Sequence, residues 1–247
     1  MRRVAVCHFL NSKGESPPSD KIHAMNEIVQ TIAVYALPVL FAITLHEAAH
    51  GYAAKFFGDT TAYMLGRVSL NPVKHIDMLG TIILPIVTFV GAAMAGSPFI
   101  FGWAKPVPVN FGKLRNPKRD MVWVALAGPA ANFAMALIWL VLGMALRASR
   151  ISEPFFVDMA NVGVTTNLLF FAFNMFPLPP LDGGRILVGL LPHEYAYKVA
   201  KIEQYGMMIV MVLAFSSILF TIWVDPLIRI AATVLNIIVS PLNFLLN

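Results

Sequence analysis

His46, Glu47 and His50 form H-E-A-A-H inside the apolar stretch 43–59. On a helix, positions four apart share a face, so two imidazoles there can grip one tetrahedral metal ion. The glutamate beside them is placed to accept a proton from a water that the metal activates. An ionisable side chain at the centre of an apolar spanning helix costs ~2.5–3.5 kcal/mol on insertion scales. Three of them within one turn need a compensating partner, which a chance match does not provide.

Two histidines leave a catalytic zinc site one protein ligand short. The single cysteine, Cys7, lies in a polar N-terminal stretch, so the missing ligand must be histidine or carboxylate. Asp77, Asp158, Asp182, His75 and Glu153 all lie near apolar segments. Asp182 is set apart by its context, FNMFPLPPLDGGRI. Pro177, Pro179 and Pro180 cannot sustain a helix, and Gly183 and Gly184 permit unusual backbone angles. Unwound backbone at membrane depth is tolerated only within protein or along a cavity, where an acid can point at a metal. In isolation an Asp before glycine is an ordinary turn residue, and His75, in NPVKHID, reads as a structural or surface histidine.

The elements that hold these residues must sit in lipid. The 247-residue chain is 58% hydrophobic and 13% charged, whereas soluble domains carry about a quarter charged residues. The net charge of +5 is spread over short connections, as in cytoplasmic loops of membrane proteins, and does not suggest nucleic acid. The expected fold is an all-α polytopic membrane protein of about six membrane segments, each of roughly 20 apolar residues. They run over about 28–57, 78–102, 121–146, 155–176, 205–223 and 226–246. The second is rich in Gly and Pro and is the candidate for a re-entrant passage over 81–102. Simple crossings by the first four would strand the histidines and Asp182 on opposite sides of the bilayer. DTTAYMLGRVSLNPVKHID, after the first segment, alternates apolar and polar residues and predicts a small β-hairpin. Its stretch 63–70 is a candidate edge for pairing with an unwound substrate. Residues 1–25 read as a polar, disordered tail, with Met25 a second candidate start, and 26–247 as one membrane domain with its core at about 40–190.

The motifs HEAAH (46–50), GPAAN (128–132) and NMFPLPPLDGG (174–184), in that order, resemble the site-2 protease family of intramembrane zinc metalloproteases, peptidase family M50. The resemblance spans about residues 40–190. It implies one zinc ion held by His46, His50 and Asp182, with Glu47 as general base. It also implies hydrolysis of peptide bonds in or near transmembrane segments of membrane-protein substrates, within a cell membrane of prokaryotic type. Asn174 resembles the family asparagine near the scissile carbonyl and is a candidate oxyanion donor. Gly128 reads as a packing residue, and Asn132 either as a helix-interface residue or as a second contact to substrate. The stretch between His50 and Asp182 is longer than the compact family core requires and holds the second apolar segment and FGWAKPVPVN. This leaves no room for the PDZ domain that some relatives carry and implies a form without one. The competing readings are a membrane metal-binding or transport protein, which has no need of Glu47, and an inactive scaffold of the same fold.

Overall fold

Apolar runs punctuated by proline and glycine set the helix boundaries. The computed structural model describes residues 18–88 and 102–246, and their side chains over 29–88 and 102–242. Helix α1 (Pro18–Phe56) carries the H-E-A-A-H motif. It stops in a Schellman turn: Gly58 takes φ 111°, its N–H donates to Lys55 O, and the Asp59 N–H donates to Ala54 O at 2.9 Å. α2 (Thr61–Met64) is a single turn. α3 (Pro117–Ala148) and α4 (Pro154–Asn174) each begin on proline, whose missing N–H would be unpaired there in any case. α5 (Asp182–Leu190), α6 (His193–Lys201), α7 (Glu203–Phe215) and α8 (Asp225–Leu246) follow, the last entered through a π-turn over Phe220–Val224.

Among the described residues, four helices are long and apolar enough to cross a membrane: Val29–Phe56, Pro117–Ala148, Pro154–Asn174 and Phe220–Leu242. Of the six segments expected, four are thus spans, while the second is described as a shorter helix to Thr88 and the fifth is a shorter helix over Glu203–Phe215. α7 has 13 residues, about 20 Å at 1.5 Å per residue, against a hydrocarbon core of about 30 Å. It packs Val210 and Ala214 on Ala172 and Leu181, beside Asp182. α8 starts from the same end, where the Trp223 indole N–H donates to Ala172 O at 3.0 Å. Its Ala231 and Leu235 then pack on Ala136 and Leu168. The expected C-terminal pair of spans is therefore one span preceded by a short helix.

The β-hairpin expected at 59–77 is replaced by α2 and a 3₁₀ turn over Pro72–His75. The backbone hydrogen bonds there are local, such as Gly66 N–H to Tyr63 O and Arg67 N–H to Ala62 O, both 2.9 Å. The neighbouring segment, 103–109, carries Pro106 and Pro108, which have no N–H to donate, and its Val107 N–H goes to the Glu47 side chain rather than to a strand. The edge expected at 63–70 for substrate pairing is accordingly not formed.

The second apolar segment is described at its ends: Met78–Thr88 forms a short apolar helix, and 89–101 lie outside the described residues. The Trp103 N–H donates to Gly80 O at 2.9 Å, so the chain returns at 103 to the place it left at 80. Further out, the Arg115 N–H donates to Phe57 O at 2.9 Å. The whole connection from 57 to 115 thus begins and ends on one side and makes no net crossing. That removes the topological conflict raised by the sequence: α1 and α4 run the same way, α3 runs against them, and the histidines and Asp182 share one end.

Candidate metal centre

His46 and His50 stand one turn apart on the face of α1 that meets α3. Their partners on α3 are spaced the same way. The Nδ1–H of His46 donates to Asn132 Oδ1 at 2.6 Å, and the Nδ1–H of His50 donates to Val124 O at 2.7 Å. Val124 and Asn132 lie four residues either side of Gly128, so two antiparallel helical ladders face each other. Pro129 has no N–H for Ala125 O, and the adjacent carbonyl, Val124 O, is the one that receives His50. A Cβ at Gly128 would lie 2.3 Å from His50 Nε2 and 2.6 Å from His46 Cε1. GPAAN is therefore the floor of the site: glycine leaves room for the imidazoles, and asparagine fixes one of them.

Asp182 reaches the histidines from the first turn of α5. Its Oδ2 lies 3.2 Å from His46 Nε2 and 3.3 Å from His50 Nε2, and the two Nε2 atoms are 3.0 Å apart. The break before it is held by close approach. Cβ atoms at Gly183 and Gly184 would fall 2.2 Å from Met175 O and 2.0 Å from Pro179 N. Neither glycine has positive φ, so room rather than unusual backbone angles is what they supply.

The donor set fits a metal ion. Both Nδ1 atoms carry ring protons, so each imidazole, when neutral, presents its Nε2 lone pair. Asp182 Oδ2 is buried and has no hydrogen-bond partner. Three bare donors facing one another at 3.0–3.3 Å repel unless a cation lies among them. A four-coordinate zinc with bonds of ~2.0–2.1 Å holds its ligand atoms ~3.3–3.4 Å apart. Among the described residues, His46, His50 and Asp182 are the group of three or more His, Cys, Asp or Glu that could hold an ion.

The other candidate ligands are engaged elsewhere. His75 is buried, with its Nε2 2.8 Å from Ser69 O, as a structural histidine. Asp77 accepts from the Gly80 N–H at 2.7 Å. Glu153 and Asp158 lie where α3 turns into α4, at the far end of the bundle. Glu47 is half-buried, and its Oε2 accepts the Val107 N–H at 2.8 Å. The asparagines divide. Asn132, a candidate substrate contact, is fully buried and spent: Oδ1 on His46, Nδ2 on Ala42 O at 3.1 Å and on Asn167 Oδ1 at 3.0 Å. Asn174 donates to Phe170 O on its own helix at 3.0 Å. Sequence reasoning missed Asn167 and Val107. The signal for Asn167 was a lone amide in the apolar helix VGVTTNLLFF. A backbone N–H such as that of Val107 leaves none.

The profile of peptidase family M50 matches residues 34–161 and 149–217, which include every residue of this cluster. The chain belongs to peptidase family M50. Among M50 relatives, YwhC of Bacillus subtilis (strain 168) is 38% identical over 186 residues, 72% of this chain and 78% of YwhC. Rip2 of Mycolicibacterium smegmatis is 30% identical over 182 residues, 70% of this chain and 63% of Rip2. MJ0392 of Methanocaldococcus jannaschii is 22% identical over 165 residues, 67% of this chain and 36% of that protein. The words "zinc metalloprotease" stand in the names of all three. No solved structure matches this M50 chain.

Proposed function

We propose that this M50 protein is a zinc metalloendopeptidase of the site-2 type, cleaving peptide bonds in or near transmembrane segments of membrane-protein substrates. The observation that carries the reading is the convergence of two imidazole nitrogens and a carboxylate oxygen within 3.0–3.3 Å, one residue from a glutamate, among apolar helices. His46, His50 and Asp182 hold the ion. When bound, zinc supplies Lewis acidity, polarising a carbonyl and making water acidic near neutral pH. Glu47 takes the proton of the attacking water and passes it to the departing amine. The Val107 N–H pins one carboxylate oxygen of Glu47 and leaves the other to carry the proton. Of the two asparagines, Asn174 retains an amide hydrogen for the substrate carbonyl, so the oxyanion role falls to it and not to Asn132. A helical substrate hides its peptide bonds in its own hydrogen bonds, so it must unwind to reach this site.

Regulated intramembrane proteolysis in a cell membrane is the setting this implies. Lys113, Arg115, Lys118 and Arg119 gather at the site's end of the bundle, which supports a cytoplasmic side for that end. The deciding experiment compares wild type with Glu47→Gln on a detergent-solubilised membrane-protein substrate, with zinc content measured alongside. Glu47→Gln should retain zinc and lose cleavage, by at least about 10²–10⁴-fold for a missing general base. Asp182→Ala should lose the zinc as well. Equal cleavage by wild type and Glu47→Gln would end the protease reading.

A further inference from the structure

His46 can give its Nε2 lone pair to a metal only if its proton sits on Nδ1, and the structure contains a device that puts it there. Gly163 O is a pure acceptor and receives the Asn167 amide at 2.8 Å, so Asn167 must turn its Oδ1 away from its own helix. That oxygen meets the Asn132 amide at 3.0 Å, and Ala42 O takes the other amide hydrogen at 3.1 Å. With both hydrogens committed to acceptors, Asn132 can show His46 only its Oδ1, at 2.6 Å. An oxygen there requires Nδ1 to be the protonated nitrogen. Reversing the Asn132 amide would set its oxygen against two other oxygens, Ala42 O and Asn167 Oδ1. Both asparagines are 0% exposed, so water cannot substitute for any of these partners.

We propose that Asn167 is a positioning residue of the metal centre: acting through Asn132, it holds His46 in the tautomer that presents Nε2 to the ion. His50 reaches the same state directly from Val124 O, so the relay serves one ligand only. It links three helices, since Ala42 belongs to α1, Asn132 to α3, and Asn167 with Gly163 to α4. The inference rests on the metal reading for its purpose, and its hydrogen-bond logic can be measured without metal.

The test uses the full chain in detergent and zinc itself, with affinity read by competition against a chromophoric chelator. The variants are Asn132→Leu, Asn167→Leu, Asn167→Ala and the double variant Asn132→Leu/Asn167→Leu. Replacing the direct partner of a metal-bound histidine weakens metal affinity ~10–100-fold, and the two Asn167 variants should fall by up to about tenfold. Leucine nearly fills the site and alanine empties it, so a common loss reports the missing acceptor rather than packing, and either folded variant suffices. If Asn167 acts through Asn132, the double variant binds zinc no more weakly than Asn132→Leu alone. Wild-type affinity in the Asn167 variants, or a double variant whose loss is the product of the two single losses, overturns the relay. Ring ¹⁵N shifts of His46 in zinc-free protein are the second readout. Wild type should show one Nδ1–H form and Asn167→Leu a mixture, and an unchanged tautomer would overturn the proposal. A wild type that binds no zinc would remove the metal reading while leaving the tautomer measurement to decide the relay.

Discussion

At the scale of single residues, the centre depends as much on an absent side chain as on the ligands. Alanine is a better helix former than glycine by ~1 kcal/mol, so on propensity alone Gly128→Ala should stabilise α3. Its methyl would stand 2.3 Å from His50 Nε2. The imidazoles cannot yield easily, because Asn132 and Val124 hold their other nitrogens. Gly128→Ala is therefore expected to keep its helical circular dichroism and lose zinc affinity by about tenfold or more, comparable to the loss of a supporting residue. Full zinc content in that variant would show that the α1–α3 distance is less constrained than the structure indicates. Asn132 illustrates the same point from the other side. Its residue type suggested a substrate contact, but its position commits every polar atom to the protein.

At the scale of elements, the extended strap 103–110 is tied down at each end of the site. Lys105 N–H donates to His75 O at 2.9 Å, and Asn110 N–H donates to Asp59 Oδ2 at 2.6 Å. Arg67 reaches across to Lys105 O at 3.0 Å. The strap in turn carries the Val107 N–H that pins Glu47, so its anchorage bears on the base. Burial by itself would raise the pKa of Asp59. Hydrogen bonds from Thr61 and Asn110, with Lys113 nearby, outweigh it and hold the carboxyl below its usual value. A carboxyl lowered by folding adds stability that is fully present above its unfolded pKa of about 4 and is lost as pH falls further. Wild type should therefore lose thermal stability on acidification from pH 5 to 3, and Asp59→Asn should lose less over that range. At pH 7 the variant should be less stable by about 1–3 kcal/mol, the scale of a hydrogen bond to a charged group. Melting curves across pH check both expectations, and parallel pH profiles for the two proteins would count against the anchor.

At the scale of the whole molecule, the site fixes the topology. The histidines and Asp182 meet only if α1 and α4 end on the same side, and the bonds joining 57 to 115 and 80 to 103 bring this about. Residues 113 and 149 flank α3, whose 32 residues span about 48 Å at 1.5 Å per residue, enough to separate them across the bilayer. Single cysteines at Lys113 and Lys198, with Cys7 replaced, should react with an impermeant thiol reagent from one face of sealed vesicles. A cysteine at Ser149 should react from the other. Labelling of Lys113→Cys and Lys198→Cys from opposite faces would refute the four-span arrangement.

What the sequence determined by itself was chemistry that depends on local spacing. An i, i+4 histidine pair with its glutamate and an acid after a proline break are legible because helix geometry and proline sterics act within a few residues. The same holds for the long apolar helices. Tertiary structure decided whatever depended on partners far along the chain. The alternation at 59–77 suggested a hairpin, but its backbone groups are taken by local turns such as Arg67 N–H to Ala62 O. Two C-terminal apolar runs suggested two spans, but hydropathy does not report where a helix stops, and Ser217, at φ 60°, follows α7 after 13 residues. Asn132 and Asn167 could be marked only as polar groups in apolar helices. Their work depends on which acceptor stands opposite, and that is set when α1, α3 and α4 pack together.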